Sequence, residues 1–128
     1  MPEYPDLTVY LQSLESRVLG HRLERVRLGS PFLLRSVEPP LSSAQGKKVM
    51  GLSRLGKRLV FALEQQLYLV LHLMIAGRLH WKARGAALTR RTDLAAFDFD
   101  AGSLVLTEAG TKKRASLFVV ADEAGLAQ

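Results

Sequence analysis

Hydrophobic residues recur at helical spacing near the start of the chain and at strand spacing through most of the remainder. In segment 5–20 the apolar side chains lie three or four positions apart and form one stripe, made of Leu7, Leu11, Leu14 and Val18. Pro5 suits the entry to a helix, Asp6 suits its N-cap and Gly20 suits its C-cap. The pattern predicts one amphipathic helix over residues 5–20.

Short segments rich in β-branched and aromatic residues follow the helix, separated by turns. They predict strands at 22–29, 48–55, 57–64, 67–73, 77–83 and 115–122, and a hairpin at 94–108 with its turn at 100–103. Prolines and glycines break segment 31–46, which we interpret as a loop with at most one short strand, and 84–91 reads as a basic loop. We therefore expect a mainly β fold: a two-layer antiparallel β-sandwich, or flattened barrel, of about eight strands with an N-terminal α-helix. Such closure leaves few strand edges unpaired.

Composition narrows the class of protein. The 128 residues are 48% hydrophobic, which fits one globular domain. The net charge of +6 favours polyanionic partners, either nucleic acid or an anionic membrane surface. The chain has no cysteine, so a disulfide, a cysteine nucleophile and a cysteine-ligated zinc site are all excluded within it.

The sequence shows no targeting or membrane segment. No apolar run is long enough to span a bilayer, and the acidic start lacks the hydrophobic region of a signal peptide. We expect a monomeric, cytoplasmic protein with no membrane partner.

The first residues, MPEYPDL, offer a nucleophile. If Met1 is removed, Pro2 carries a secondary amine whose pKa is about 8, so roughly a tenth of it is free base at neutral pH. Such an amine attacks an aldehyde carbon to give an iminium, which acts as an electron sink for β-elimination. The carboxyl of Glu3 can supply the proton that this step needs, and Asp6 can hold the amine or a water molecule. The alternative is that these residues only begin the helix.

Four collinear blocks carry a resemblance. The start MPEYPDL, the strand RLGKRLVF at 54–61, the segment LVLHLMIAGRL at 69–79 and the segment LTEAGTKKRASLFVV at 106–120 resemble motifs of the formamidopyrimidine-DNA glycosylase / endonuclease VIII family. Their order and spacing match along nearly the whole chain. The resemblance implies the N-terminal catalytic domain of that family over residues 1–128.

The resemblance implies excision of a damaged base from double-stranded DNA, followed by strand cleavage at the abasic site. It assigns Pro2 as the nucleophile, Glu3 as the proton donor to the sugar and Asp6 as a second carboxylate, one methylene shorter than in the family. The residues that it implies for DNA binding are Lys57 and His72 near phosphate, Met74, Ile75 and Arg78 in the third block, and Lys112, Lys113 and Arg114 in the fourth.

The residues that fill the duplex differ from the family pattern. The family replaces the flipped-out nucleotide with a methionine, an arginine and a phenylalanine. Ile75 stands at the methionine position with Met74 just before it, Gly110 or Thr111 stands at the arginine position, and Lys112 stands at the phenylalanine position. We therefore expect Ile75 to act as an apolar wedge and 111–114 to hold phosphate electrostatically. The lesion specificity does not follow from the resemblance.

Length is a further difference. Family members continue into a helix–two-turn–helix domain and usually a finger that carries zinc, and neither is present here. We expect a fragment of a protein about twice as long, whose zinc, if it has any, belongs to the missing part, and no cofactor or metal within these residues. Two alternatives to an enzyme stay open. One is a non-catalytic domain of the same fold that binds nucleic acid or damaged DNA, and the other is a basic protein–protein module that uses loops 84–91 and 111–114.

Overall fold

The computed structural model describes residues 7–109 and 114–122. In them the chain forms one helix, α1 (Leu7–Val18), nine strands, and two 3₁₀ turns (Leu41–Ala44 and Glu64–Gln66). The strands are β1 (Arg22–Leu23), β2 (Arg25–Leu28), β3 (Lys47–Leu55), β4 (Arg58–Leu63), β5 (Leu67–His72), β6 (Gly77–Lys82), β7 (Asp93–Asp98), β8 (Ser103–Glu108) and β9 (Ser116–Val120).

Helix α1 confirms the predicted stripe. Its buried residues are Leu7, Leu14 and Val18, and Leu11 packs against the core while partly exposed. Gly20 has a φ of +83°, a left-handed conformation that suits glycine and ends the helix. The N-terminal part of the prediction, with Pro5 and Asp6, lies outside the described residues.

The strands form two antiparallel sheets, as the alternation predicts. One sheet has the order β1-β3-β4-β5-β9 and the other has the order β2-β7-β8-β6. Their inner faces meet in a core of aliphatic side chains in which Phe61 of β4 stacks on Phe97 of β7, with ring centroids 6.3 Å apart. Burying each such large side chain contributes about 1.5–3 kcal/mol relative to leaving it in water. The predicted two-layer β-sandwich is confirmed.

The predicted strand at 22–29 is divided in the structure, which is why nine strands are found among the described residues rather than about eight. Strand β1 pairs with β3 in one sheet, whereas β2 pairs with β7 in the other. Between them the Glu24 N–H donates to the Asp98 carbonyl at 2.8 Å. The chain changes sheets at Glu24, and this closes one corner of the sandwich. Segment 31–46 is largely loop, as predicted, with one bridge between Leu34 and Leu117.

The sandwich has two ends that differ in charge. The first is called the His72 end. The elements that begin there are α1, β4, β6, β7 and β9, and the strands that finish there are β2, β3, β5 and β8. At the other, called the Asp98 end, β2, β3, β5 and β8 begin and β4, β6, β7 and β9 finish. Residues 73–76 lead directly from one sheet to the other at the His72 end.

Candidate functional site

Lys57 and His72 are brought together at the His72 end. Lys57 is exposed in the turn between β3 and β4, where Gly56 takes a φ of +62° and so permits a tight reversal. Arg58, the first residue of β4, lies directly across from His72, the last residue of β5. Two cationic side chains therefore flank the imidazole.

His72 is half-buried, and its buried Nε2 atom has no hydrogen-bond partner within the part of the chain that the structure describes. Burial lowers the pKa of His72 below the ordinary 6.5, and the charges of Arg58 and Lys57 lower the pKa further. The ring is therefore neutral at neutral pH. A neutral imidazole carries one N–H donor, and beside two cations it is suited to hydrogen-bond an anionic ligand.

The turn between β5 and β6 holds the predicted wedge. The Gly77 N–H donates to the Leu73 carbonyl at 3.0 Å, and Met74, half-buried, takes a φ of +58°. The Arg78 Nη1 donates to the carbonyls of Ile75 at 2.7 Å and Gly77 at 2.8 Å. These bonds brace the turn, and the Ile75 residue at its tip is 40% exposed.

Glu108 is a positioning residue that the sequence reasoning missed. Its buried carboxylate accepts the N–H of Arg114 at 2.8 Å and the N–H of Ala115 at 3.2 Å, and so anchors the backbone just before β9 begins. The predicted Arg114 is itself exposed. The sequence does contain a signal for this role. Glu108 lies on the same face of β8 as Leu104 and Leu106, and a carboxylate on a buried face needs hydrogen-bond donors or a cation beside it.

The remaining predicted site residues lie outside the described residues. They are Pro2, Glu3, Asp6, Lys112 and Lys113.

The direction of α1 is settled by two contacts with β6. The Tyr10 hydroxyl accepts the Leu79 N–H at 3.4 Å, and the Arg17 guanidinium lies 5.6 Å from the centroid of the Trp81 ring. The helix and β6 therefore run in the same direction. Because β6 begins at the His72 end, Leu7 at the start of α1 lies at that end as well.

The ion pairs of the described residues are gathered at the other end of the sandwich. They are His21–Asp100, Arg22–Glu64, Arg25–Asp98, Arg27–Asp98 and Arg84–Glu24. In these ranges no ion pair includes Arg58, Arg78 or Arg114. The described ion pairs thus lie at the Asp98 end, whereas Arg78 and Arg114 are exposed at the His72 end without an acid partner in the described ranges, an arrangement suited to a polyanion.

Asp98 is the centre of the second polar cluster, which the sequence reasoning also missed. Its carboxylate accepts two hydrogen bonds from Arg27, both 2.9 Å long, one from Arg25 at 3.2 Å and one from Ser103. Burial raises the pKa of Asp98, but these hydrogen bonds outweigh burial, so the pKa is lowered overall. An open cavity of about 580 Å³ adjoins the cluster and is lined by Glu24, Arg84 and Gly85 among others. No residue predicted for the site lines it.

Two kinds of feature are absent from the described ranges. No group of three or more His, Cys, Asp or Glu side chains there could hold a metal ion. None of the helices described there has the length and apolar character that a membrane span requires.

Comparison with known proteins gives consistent matches. Residues 1–115 match the family model for the formamidopyrimidine-DNA glycosylase N-terminal domain. The chain is 33% identical over 105 residues to formamidopyrimidine-DNA glycosylase of Mycoplasma genitalium, covering 80% of this chain and 37% of that protein. It is 30% identical over 110 residues to the enzyme of Solibacter usitatus, covering 84% and 40%. The chain thus spans less than half the length of these curated relatives.

Solved structures share the fold. A Lactococcus lactis formamidopyrimidine-DNA glycosylase in complex with DNA containing an abasic site superposes with a TM-score of 0.79 at 24% identity, covering 92% of this chain and 43% of that one. The same TM-score and identity hold for the Lactococcus lactis protein in complex with DNA containing an oxidized pyrimidine, with 93% and 44% covered. At this identity the likeness concerns the fold.

Proposed function

This chain belongs to the family of the formamidopyrimidine-DNA glycosylase N-terminal domain, and from that membership we propose that it is the catalytic domain of a base-excision-repair enzyme. The enzyme removes a damaged base from duplex DNA and then cleaves the strand at the abasic site. One observation carries the proposal: the exposed cations Lys57, Arg78 and Arg114 lie together at the edge of the sandwich where α1 begins. The family's chemistry needs a phosphate-binding surface beside the chain start.

Lys57 and His72 are proposed to hold the DNA backbone next to the lesion. Lys57 is exposed in a turn and supplies a point charge for a phosphate. His72, kept neutral by burial and by the charges of Arg58 and Lys57, is proposed to donate a hydrogen bond from its ring N–H to a phosphate oxygen. A bound phosphate would offset those charges and raise the pKa of His72.

The turn at 73–77 is proposed to enter the duplex. Ile75 replaces the nucleotide that leaves the stack, with Met74 supporting it, since an apolar side chain can occupy the space between base pairs. Arg78 braces the turn through two carbonyls and adds positive charge beside the phosphates. Across the same end, Lys112, Lys113 and Arg114 are proposed to hold phosphate.

The proposed chemistry belongs to the chain start. Pro2 is five residues before Leu7, a length of chain that reaches at most about 18 Å. With Met1 removed, the Pro2 nitrogen attacks C1′, the bond from C1′ to the base breaks, and Glu3 protonates the ring oxygen as the iminium forms. Loss of a C2′ proton then expels the 3′ phosphate, and water releases Pro2 from the product. Asp6 is proposed to hold the amine or a water molecule.

Borohydride trapping tests this proposal. The protein carrying this domain, shown by intact mass to lack Met1, is incubated with abasic-site duplex and reductant, and the cross-linked residue is identified by mass spectrometry. We expect the adduct at Pro2 and a large loss of adduct in Pro2→Gly. An adduct at an internal lysine such as Lys57 would contradict the mechanism.

A non-catalytic DNA-binding domain is the second candidate, favoured by the lysine at position 112, where the family resemblance calls for phenylalanine. It predicts salt-dependent binding of the duplex without any trapped adduct. A protein–protein module predicts no salt-dependent affinity for DNA.

A further inference from the structure

Phe32 is an exposed aromatic residue with no part in the site described above. It is 75% exposed, while its neighbour Leu33 is 2% exposed and belongs to the core. Single exposed apolar residues are common on protein surfaces and need no special explanation. Phe32 differs from such residues in its position in the fold and in the hydrogen bonds that anchor its turn.

The turn that carries Phe32 crosses the His72 end from one sheet to the other. On one side, the N–H groups of Gly29 and Ser30 donate to the Leu94 carbonyl, at 2.7 and 3.1 Å, near the start of β7. On the other side, the Leu117 N–H donates to the Leu33 carbonyl at 2.9 Å, near the start of β9. Both anchors lie where strands begin, so Phe32 lies at the tip of this end of the sandwich.

Local hydrogen bonds also order the turn. The Phe32 N–H donates to the Ser30 Oγ at 3.4 Å, and the Arg35 Nε donates to the Phe32 carbonyl at 2.6 Å. The Arg35 N–H donates to the Leu117 carbonyl at 2.9 Å. An aromatic ring is thus presented to solvent on an anchored turn, beside the exposed Arg35.

The segment that carries Phe32 lies beside β9, which in turn lies beside β5, the strand that carries the proposed phosphate ligand His72. Ser116 of β9 pairs with His72 of β5, and the segment around Leu34 adds next to β9. Two strand spacings of about 4.8 Å place the backbone of Leu34 about 10 Å from that of Leu71, the neighbour of His72. Phe32 precedes Leu34 by two residues, so it lies on the same side of the His72 end as the proposed phosphate site.

We propose that Phe32 packs its ring against a nucleotide of the bound DNA, near the phosphate held at Lys57 and His72, while the Arg35 guanidinium contacts a neighbouring phosphate. The inference rests on the proposed function, because it needs DNA at the His72 end. The unbalanced charge of Arg35 and Arg114 favours nucleic acid over an apolar protein partner for this tip. Contact between the ring and a deoxyribose does not depend on the identity of the base, as repair at arbitrary positions requires.

Equilibrium binding of a fluorescently labelled abasic-site duplex, measured by anisotropy over a range of salt concentrations, tests the inference on this chain. Phe32→Ala should weaken binding by about 10-fold without changing the salt slope, and Phe32→Trp should restore the affinity. Arg35→Gln should lower the salt slope by about one. Met50→Ala is the matched control, since Met50 is 61% exposed on the part of β3 nearer the Asp98 end and should bind as the unmodified chain does.

The outcomes separate this inference from the function on which it rests. If the unmodified chain binds with a steep salt dependence and Lys57→Ala weakens it, but Phe32→Ala matches Met50→Ala, only the role of Phe32 is overturned. The role of Phe32 is also overturned if Phe32→Trp binds as poorly as Phe32→Ala while circular dichroism shows both variants folded. It is overturned as well if sedimentation shows that Phe32→Ala dissociates a dimer, because Phe32 would then contact a second copy of the chain. Absence of salt-dependent binding in the unmodified chain overturns the proposed function and this inference together.

Discussion

Replacing Asp98 by asparagine removes one negative charge from the polar cluster at the Asp98 end and leaves the side-chain shape nearly unchanged. The carboxylate has 6% side-chain exposure and accepts a two-point contact from Arg27, with both distances 2.9 Å. Arg25 and Ser103 donate to the same carboxylate. Since Arg27 and Arg25 lie on β2 and Asp98 lies on β7, the cluster holds the edge strand of the four-stranded sheet in place.

The expected cost follows from the exposure of the partners. Removing one member of a buried ion pair costs about 3–5 kcal/mol, because the other charge is left uncompensated. Here the side chains of Arg27 and Arg25 are 21% and 59% exposed, so water partly solvates them after the substitution. We therefore expect Asp98→Asn to lower the free energy of unfolding by about 2–3 kcal/mol at pH 7.

The pH dependence has a definite sign. Because the folded-state pKa of Asp98 is lowered, its contribution to stability is present above the unfolded pKa of about 3.9 and is lost as the pH falls through the folded pKa. The difference in unfolding free energy between the unmodified chain and Asp98→Asn should therefore shrink as the pH is lowered from 5 toward the acid range.

Urea unfolding followed by Trp81 fluorescence measures both effects, with Asp100→Asn as the matched control. Asp100 has 61% side-chain exposure and pairs with His21 at the same end, so its substitution should cost about 0–1 kcal/mol. The reasoning is refuted if Asp98→Asn costs no more than Asp100→Asn at pH 7. It is also refuted if the difference caused by Asp98→Asn stays constant down to the lowest pH at which the chain remains folded.

Three further predictions concern the His72 end. Gly77→Ala should lower the free energy of unfolding in urea by about 2 kcal/mol or more, because the added Cβ would lie 2.3 Å from a backbone carbonyl oxygen of the same turn. Gly51→Ala, whose Cβ would have its nearest contact at 3.9 Å, should cost much less. Equal costs in the two variants would contradict the predicted clash at Gly77. Glu108→Ala should cost about 1.5–3 kcal/mol by the same measurement, because the acceptor shared by two backbone N–H groups is lost, and a cost near zero would exclude that role. The His72 imidazole should titrate below 6.5 by NMR, and Arg58→Gln should raise its midpoint; an unshifted midpoint in the variant would remove Arg58 as a cause.

Local patterning in the sequence was sufficient for the elements and the fold class. The apolar stripe of α1 and the alternation along most strands identify structure because each depends only on residues adjacent in the chain, whose spacing decides which face is buried. The same local information placed Lys57 at the start of one predicted strand, 57–64, and His72 near the end of another, 67–73. The prediction of one strand over 22–29 was wrong at Glu24, where two successive polar residues interrupt the alternation and the chain passes from one sheet to the other.

Only the tertiary structure decided which distant residues meet. Arg27 and Asp98 are 71 positions apart, and the pairing of Arg58 with His72 depends on the register between β4 and β5. The order of charged residues along the sequence does not show which cations pair with acids, as Arg27 does, and which are exposed at the His72 end, as Arg78 and Arg114 are. Such pairing depends on strand register and on the packing of one sheet against the other, because electrostatic and hydrogen-bond energies depend on distance in space rather than on separation along the chain.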